Sequence, residues 1–262
     1  MLFPTGFKPK KSLGQSFLVS NKIADKLVSA LELKDTDNVL EIGAGTGILT
    51  TRLCDSAHKV YAIEIDNRLI PTLQDKTKDY DNIEIINNDF LQLDWRKFDN
   101  IKIIGNIPYY ISSEILANLL ENIKLWNLVV LTTQREFANK LLASLGKPGY
   151  CATTVLFEFY TERKKICSVQ ASAFRPSPNI VSSAIAIKKR PSPLFDDIDF
   201  INFSKVVHVS FKYPRKTIAN NLSLVLDIDK HKIAGINNLD LTRRAQTFSI
   251  HEFYELTKSL CK

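Results

Sequence analysis

Cysteine is scarce in this chain and falls in no pattern. The four are Cys54, Cys151, Cys167 and Cys261, and no two make a C-x-x-C pair. This excludes a zinc ribbon, a paired redox motif and a disulfide framework, and it is the usage expected in a reducing cytoplasm. No apolar run approaches the roughly 20 residues that a membrane span needs. No apolar core follows a basic segment near the N-terminus, so a secretory signal is not expected. Internal repeats and low-complexity tracts are also missing. The expectation is a cytoplasmic, monomeric protein with no membrane association. Glycine is sparse as well, with nine in 262 residues. Three of those nine are Gly43, Gly45 and Gly47. Such local density implies a tight turn whose backbone a ligand can approach.

That turn closes Val39-Leu40-Glu41-Ile42-Gly43-Ala44-Gly45-Thr46-Gly47. The stretch reads as a buried strand, a glycine turn and a helix start, the arrangement of a nucleotide-type site at the C-terminal edge of a parallel sheet. Its spacing is G-x-G-x-G, and Ile48 stands where a dinucleotide binder has its third glycine. The turn holds no lysine or serine for a pyrophosphate. A nucleoside ligand without phosphates is therefore expected, and S-adenosyl-L-methionine fits that description.

Charge is uneven. The net charge is +7, and from Arg163 to Arg190 there are seven Lys/Arg and no acid. Lys8, Lys10 and Lys11 form a second cluster. A basic balance favours nucleic acid as partner. Lys8–Lys11, Lys164-Lys165, Lys188–Arg190 and Arg215-Lys216 are candidate phosphate contacts; such contacts position a nucleic acid without reading its sequence.

Hydrophobic periodicity orders the chain into alternating strands and helices. Residues 1–15 read as extended, and a helix follows Gln15-Ser16-Phe17-Leu18. Strands are expected at Asn38–Ile42, Lys59–Ile63, Ile83–Ile86, Ile101–Ile104 and Leu128–Thr132. Helices are expected at about 47–56, 67–78, 112–122 and 134–144, the third capped by Ser112 or Ser113. Regular alternation of this kind predicts an α/β fold, a parallel sheet covered on both faces. Residues 151–160 are β-branched and aromatic, so propensity predicts another strand. Lys164–Val169 and Val181–Lys188 read as an antiparallel pair joined through Phe174-Arg175-Pro176-Ser177-Pro178. Pro191-Ser192-Pro193 is a composition break, and 194–262 carries only helical spacings.

The strand ends carry the chemistry. Glu64 closes the second strand, where a carboxylate can accept both ribose hydroxyls. Asp89 closes the third and can accept from an adenine amine; a helix N-cap is the alternative role. Asn106-Ile107-Pro108-Tyr109 follows the fourth. The lone pair of adenine's exocyclic nitrogen is conjugated with the ring, so methylating it requires a site that grips the amine by its hydrogens. The Asn106 side-chain oxygen and the Ile107 carbonyl suit that task, Pro108 stiffens them, and Tyr109 offers a face for the base. A π face also favours a cationic methyl donor. Phe174 is a candidate second stacking face, or else a buried loop anchor.

These residues resemble the small-subunit ribosomal RNA adenine dimethyltransferase family, from about Lys11 to Leu260. Gln15-Ser16-Phe17-Leu18 resembles the family's N-terminal cofactor motif, which brings Ser16 and Leu18 into the candidate site with Gly43, Gly45, Glu64, Asp89 and Asn106. Arg215-Lys216-Thr217 with Asn221-Leu222 is similar to the start of a basic helix in the family's C-terminal domain, and sets the chain apart from large-subunit methyltransferases. The resemblance implies a Rossmann-like class I methyltransferase fold. Its sheet would be seven-stranded and mostly parallel with one strand reversed, spanning residues 1–190, with a small all-α RNA-recognition domain at 191–262. It also implies that 151–160 is helical, against propensity. The implied reaction places two methyl groups on each of two adjacent adenosines of small-subunit ribosomal RNA, alone or in a pre-ribosomal small subunit. Ser16 stands where the family usually has Asn or His. The alternatives are a non-catalytic nucleic-acid-binding protein on the same fold, a large-subunit enzyme and a DNA adenine methyltransferase.

Overall fold

The computed structural model describes residues 7–10, 13–226, 233, 236 and 238–260. The chain forms two compact units. One comprises residues up to Ala138 together with Arg163–Lys189; the other comprises Asn139–Glu162 and Arg190–Lys262. The composition break at Pro191 thus marks only one of the crossings. Residues 139–162, expected to belong with the sheet, pack with the C-terminal residues instead.

The first unit is built on a seven-stranded sheet. Its elements in chain order are β1 (Phe17–Leu18), α1 (Asn21–Ser29), β2 (Asn38–Ile42), α2 (Thr50–Cys54), β3 (Lys59–Ile63), α3 (Ile70–Thr77), β4 (Ile83–Ile86), β5 (Ile101–Asn106), α4 (Ser112–Glu121), β6 (Trp126–Gln134) and α5 (Arg135–Leu141), whose last turn crosses into the second unit. After α6 (Ala152–Tyr160) come β7 (Thr161–Val169), β8 (Phe174–Arg175) and β9 (Ser182–Lys189). The strand order is β4-β3-β2-β5-β6-β9-β7. Strands β2 through β6 are parallel, and β9 runs antiparallel to β6. The order reverses at β2, with β3 on one side and β5 on the other. The crevice beyond the carboxyl ends of β2 and β5 is therefore the place where such a sheet holds a ligand.

The central strands are apolar on both faces because helices cover both. Val39, Leu40, Ile103, Ile104, Val129 and Val130 are fully buried. Leu27 from α1, Leu31 just beyond its end, Leu53 from α2 and Phe174 from β8 share one core cluster with Val39, Val60, Ile104 and Val130. Burial of each large apolar side chain contributes about 1.5–3 kcal/mol. The expected caps of α4 are not used. Its N-cap position is Ile111, because Tyr109–Ile111 already form a 3-10 turn; the Ser112 hydroxyl instead donates to the Pro108 carbonyl at 3.2 Å.

The second unit is helical, with α6, α7 (Phe200–Phe211), α8 (Ile218–Leu226) and α9 (Ile250–Leu260). The strand expected at 151–160 is helix α6. Thr154 accepts the Cys151 amide at 3.1 Å and donates to the Lys140 carbonyl at 2.7 Å, which fixes the first turn. Thr154 through Phe157 are consecutively buried, so neither a period of two nor one of 3.6 is written in the sequence. Tertiary packing overrides β propensity here. The Phe159 ring lies 5.2 Å from Phe200 and 4.8 Å from Phe203. Among the described residues no helix is long and apolar enough to cross a membrane.

Candidate active site at the strand ends

Strand β2 ends at Ile42, and the chain turns back through Gly43 and Gly45 with φ of +71° and +58°. Both the Gly43 and the Ala44 amide donate to the Ile63 carbonyl at 2.9 Å, fixing the turn against β3. A Cβ on Gly43 would meet nothing within 4 Å, whereas one on Gly45 would press on the Phe17 ring at 3.1 Å. Gly43 therefore bares its backbone toward open space, and Gly45 lets the N-terminal segment pack close.

Strand β3 runs into Glu64, which is buried. Its two oxygens accept the Gly45 amide at 2.7 Å and the Asp66 amide at 2.8 Å. Burial raises the Glu64 pKa, against the lowering effect of these amides. Glu41, on the neighbouring strand, has one donor, the Thr50 hydroxyl at 2.6 Å, and burial pushes its pKa up to about 8. Asp66 is the opposite case. The Arg68 guanidinium grips both its oxygens at 2.8 and 2.6 Å and Gln15 donates at 2.7 Å, so its carboxyl is held well below the usual range. Gln15 in turn accepts the Lys10 amide at 2.7 Å, and Arg68 lies 4.6 Å over the Phe7 ring. The N-terminal segment is thereby tied across the end of β3.

Strand β5 delivers Asn106. Its amide nitrogen donates to the Ser16 carbonyl at 2.8 Å, and the Ser16 hydroxyl donates to the Pro176 carbonyl at 2.8 Å. The Ile107 amide donates to the Thr132 carbonyl at 3.1 Å, fixing the turn against β6. The Tyr109 hydroxyl is 2.6 Å from the Ser182 hydroxyl on β9. Burial raises the Tyr109 pKa, so the ring stays a neutral phenol.

One cavity is lined by Ser16, Gly43, Gly45, Glu64, Asn106, Ile107, Pro108 and Tyr109, together with Leu13, Gly14, Gln15, Phe17 and Ile65. Three expected site residues are not on its wall. Asp89 sits at the end of β4, where it caps a 3-10 turn by accepting the Leu91 amide at 2.9 Å. Leu18 and Phe174 also lie off the wall. Leu18 is paired with Phe174 across the β1–β8 ribbon, and both are buried in the core, so Phe174 presents no face to a base in this structure. Asp66, Arg68 and Ser182 were not foreseen. Asp66 lies two residues past Glu64, but a partner 51 residues away in Gln15 leaves no sequence signal.

The basic clusters divide in the same way. Lys8, Lys10, Lys164, Lys165, Lys188, Arg215 and Lys216 are exposed, and Lys11 lies outside the described residues. Arg190 is instead paired with Glu162 at 2.9 Å, and Lys189 donates to the Lys124 carbonyl. Asn221 is fully buried, accepting the Tyr213 amide at 2.9 Å and donating to the Tyr213 and Thr217 carbonyls. It shapes the turn that displays Arg215 and Lys216.

Comparison with known proteins identifies the family. Residues 6–261 match the family described as ribosomal RNA adenine dimethylase. A ribosomal RNA small subunit methyltransferase A from Staphylococcus carnosus is 36% identical, covering 98% of this chain and 91% of its own length. Its counterpart from Shouchella clausii is 37% identical, with 97% and 90% covered. Among solved structures, a dimethyladenosine transferase from Plasmodium falciparum superposes with a TM-score of 0.81 at 27% identity, covering 92% of this chain and 95% of that one. The 23S rRNA methyltransferase ErmE gives 0.74 at 26% identity, with 94% and 100% covered. A match over nearly the whole chain, with a seven-stranded sheet whose strand ends gather Glu64 and Asn106–Tyr109, places this protein in the ribosomal RNA adenine dimethylase family.

Proposed function

We propose that this protein transfers methyl groups from S-adenosyl-L-methionine to the exocyclic amines of two adjacent adenosines near the 3′ end of small-subunit ribosomal RNA, leaving two on each, during ribosome assembly in the cytoplasm. One observation carries the reading: a single cavity gathers the bare Gly43 backbone, the Glu64 carboxylate and the Asn106–Tyr109 turn. The wall chemistry fits the cofactor. Among the described residues Glu64 is its one acid and none of its lining is Lys or Arg, which suits a cationic nucleoside without phosphates. The open space over Gly43 is room that a Cβ would take.

Glu64 is the group that would hold the ribose hydroxyls, through the lone pairs its two backbone amides leave over. Asp89 spends one oxygen on its cap and keeps the other for the adenine amine. When bound, the cofactor supplies an electrophilic methyl group. In the first transfer the Asn106 oxygen and the Ile107 carbonyl grip the target amine by its two hydrogens, turning its lone pair out of the base plane; in the second, one of them holds the remaining hydrogen. The Tyr109 ring stacks on the base. Held this way, the nitrogen is a near-attack nucleophile, and positioning supplies most of the acceleration without a general base of tuned pKa. The exposed lysines and arginines hold phosphates, and the pair of adenosines is selected by RNA shape.

The experiment is transfer of labelled methyl groups to small ribosomal subunits that lack dimethyladenosine. Large-subunit RNA and duplex DNA are assayed in parallel, and the products are digested to nucleosides. Dimethyladenosine at two adjacent positions of small-subunit RNA is the expected result. Label confined to large-subunit RNA or DNA would mean a different substrate. Cofactor binding without transfer to any of the three would make this a binding protein.

A further inference from the structure

The Asn106 amide has two chemically opposite ends. Its oxygen attracts an amine's hydrogens, and its NH2 repels them. The reaction proposed above needs the oxygen toward the base, so something must keep the amide from turning over. In the structure that partner is the Ser16 backbone carbonyl, which accepts from Asn106 Nδ2 at 2.8 Å. No other acceptor for this nitrogen is found among the described residues. Ser16 is itself held from two sides. Its hydroxyl proton is committed to the Pro176 carbonyl at 2.8 Å. The residues after it pair with β8, Phe17 with Arg175 and Leu18 with Phe174, and the Val19 amide donates to the Ala173 carbonyl at 2.8 Å. With its one proton given to Pro176, the hydroxyl has none to donate to a ligand.

We propose that Ser16 is a positioning residue for methyl transfer. Its carbonyl orients the Asn106 amide, and its hydroxyl locks that carbonyl to the Pro-rich loop. Buried Leu18 and Phe174 act as the feet of the same brace. The inference rests on Asn106 being the group that grips the target amine.

The test measures two quantities on each variant: the single-turnover transfer rate at saturating labelled cofactor, and the affinity for S-adenosylhomocysteine by calorimetry. Ser16→Ala should slow transfer about tenfold, the scale of one lost hydrogen bond, while the affinity stays within about twofold. Ser16→Thr, which keeps the hydroxyl, should restore the rate. Ser16→Cys, a weaker donor, should fall between them and keeps the test open if the alanine variant folds poorly. In an Asn106→Ala background Ser16→Ala should cost nothing further, because the group it orients is gone. An equal slowing in both backgrounds would overturn the proposal. So would a loss of S-adenosylhomocysteine affinity with the rate unchanged, which would make Ser16 a cofactor contact. If Asn106→Ala alone transfers at the wild-type rate, the reading of the site itself fails.

Discussion

Polar clusters sit at both edges of the central strands, and they are built differently. At the N-terminal edge Lys102, on β5, donates to the Glu32 carbonyl at 2.7 Å and to Asp37 at 2.8 Å. Burial pushes the Asp37 pKa up, but the hydrogen bonds from Lys102 and Lys34 outweigh it and the net shift is downward. This cluster closes on itself around a cation that cannot remain buried unpaired. At the C-terminal edge, four residues further along the same strand, Asn106 spends its donor end on Ser16 and keeps its acceptor end. Glu64 accepts two amides and retains further lone pairs. Both edges contain buried polar groups with good geometry, so burial and hydrogen bonding alone do not distinguish them. Acceptor capacity left over beside a cavity does.

Breaking the closed edge should cost the most stability and no chemistry. Lys102→Met strands the Asp37 carboxylate and should lower unfolding free energy by about 2 kcal/mol, below the 3–5 kcal/mol of a fully buried pair because both partners keep some exposure. Denaturant unfolding measures this, and the transfer rate of the folded protein should be unchanged. A matching fall in the rate would show that the two edges are not separable. Glu64→Gln turns one accepting oxygen into a donor that faces a backbone amide. It should weaken S-adenosylhomocysteine binding about tenfold, or about 1.4 kcal/mol, with calorimetry as the measurement.

The pH-dependent effect belongs to Glu41, which lies between the two edges. Its pKa in the fold is raised from 4.5 to about 8 by burial. The native state therefore binds a proton that the unfolded chain has already lost. The stability from Glu41 is fully present below about pH 4.5, declines as pH rises, and is gone above about pH 8. Thermal unfolding of wild type and Glu41→Gln across this range should show the wild type losing up to about 1 kcal/mol per pH unit relative to the variant. Parallel curves would mean that Glu41 is ionised in the fold.

Legibility followed the same division between local and distant causes. The bounds of β2, β3 and β4 could be read because buried parallel strands are short apolar blocks between turns. Gly43, Glu64 and Asn106 were legible because each is fixed by its distance from a strand end. Helix α6 was not, since its apolar residues are buried on nearly every side and leave no period. Phe174 stayed open in the sequence because a stacking face and a core anchor are the same kind of residue; its pairing with Leu18 and its burial make it a core anchor here. The brace at Ser16 depends on partners 90 and 160 residues away, which no local pattern encodes.

The central claim is that the unspent acceptor of Asn106 does the chemistry. It is tested most directly by measuring, on one preparation of Asn106→Ala, the single-turnover rate of methyl transfer to small-subunit RNA and the affinity for S-adenosylhomocysteine. The account predicts a rate at least about 100-fold lower, the scale of removing one preorganised polar group from a reaction centre, with the affinity within about threefold of wild type. A wild-type rate with lost affinity would contradict it, since Asn106 would then serve the cofactor and the reacting amine would be held elsewhere.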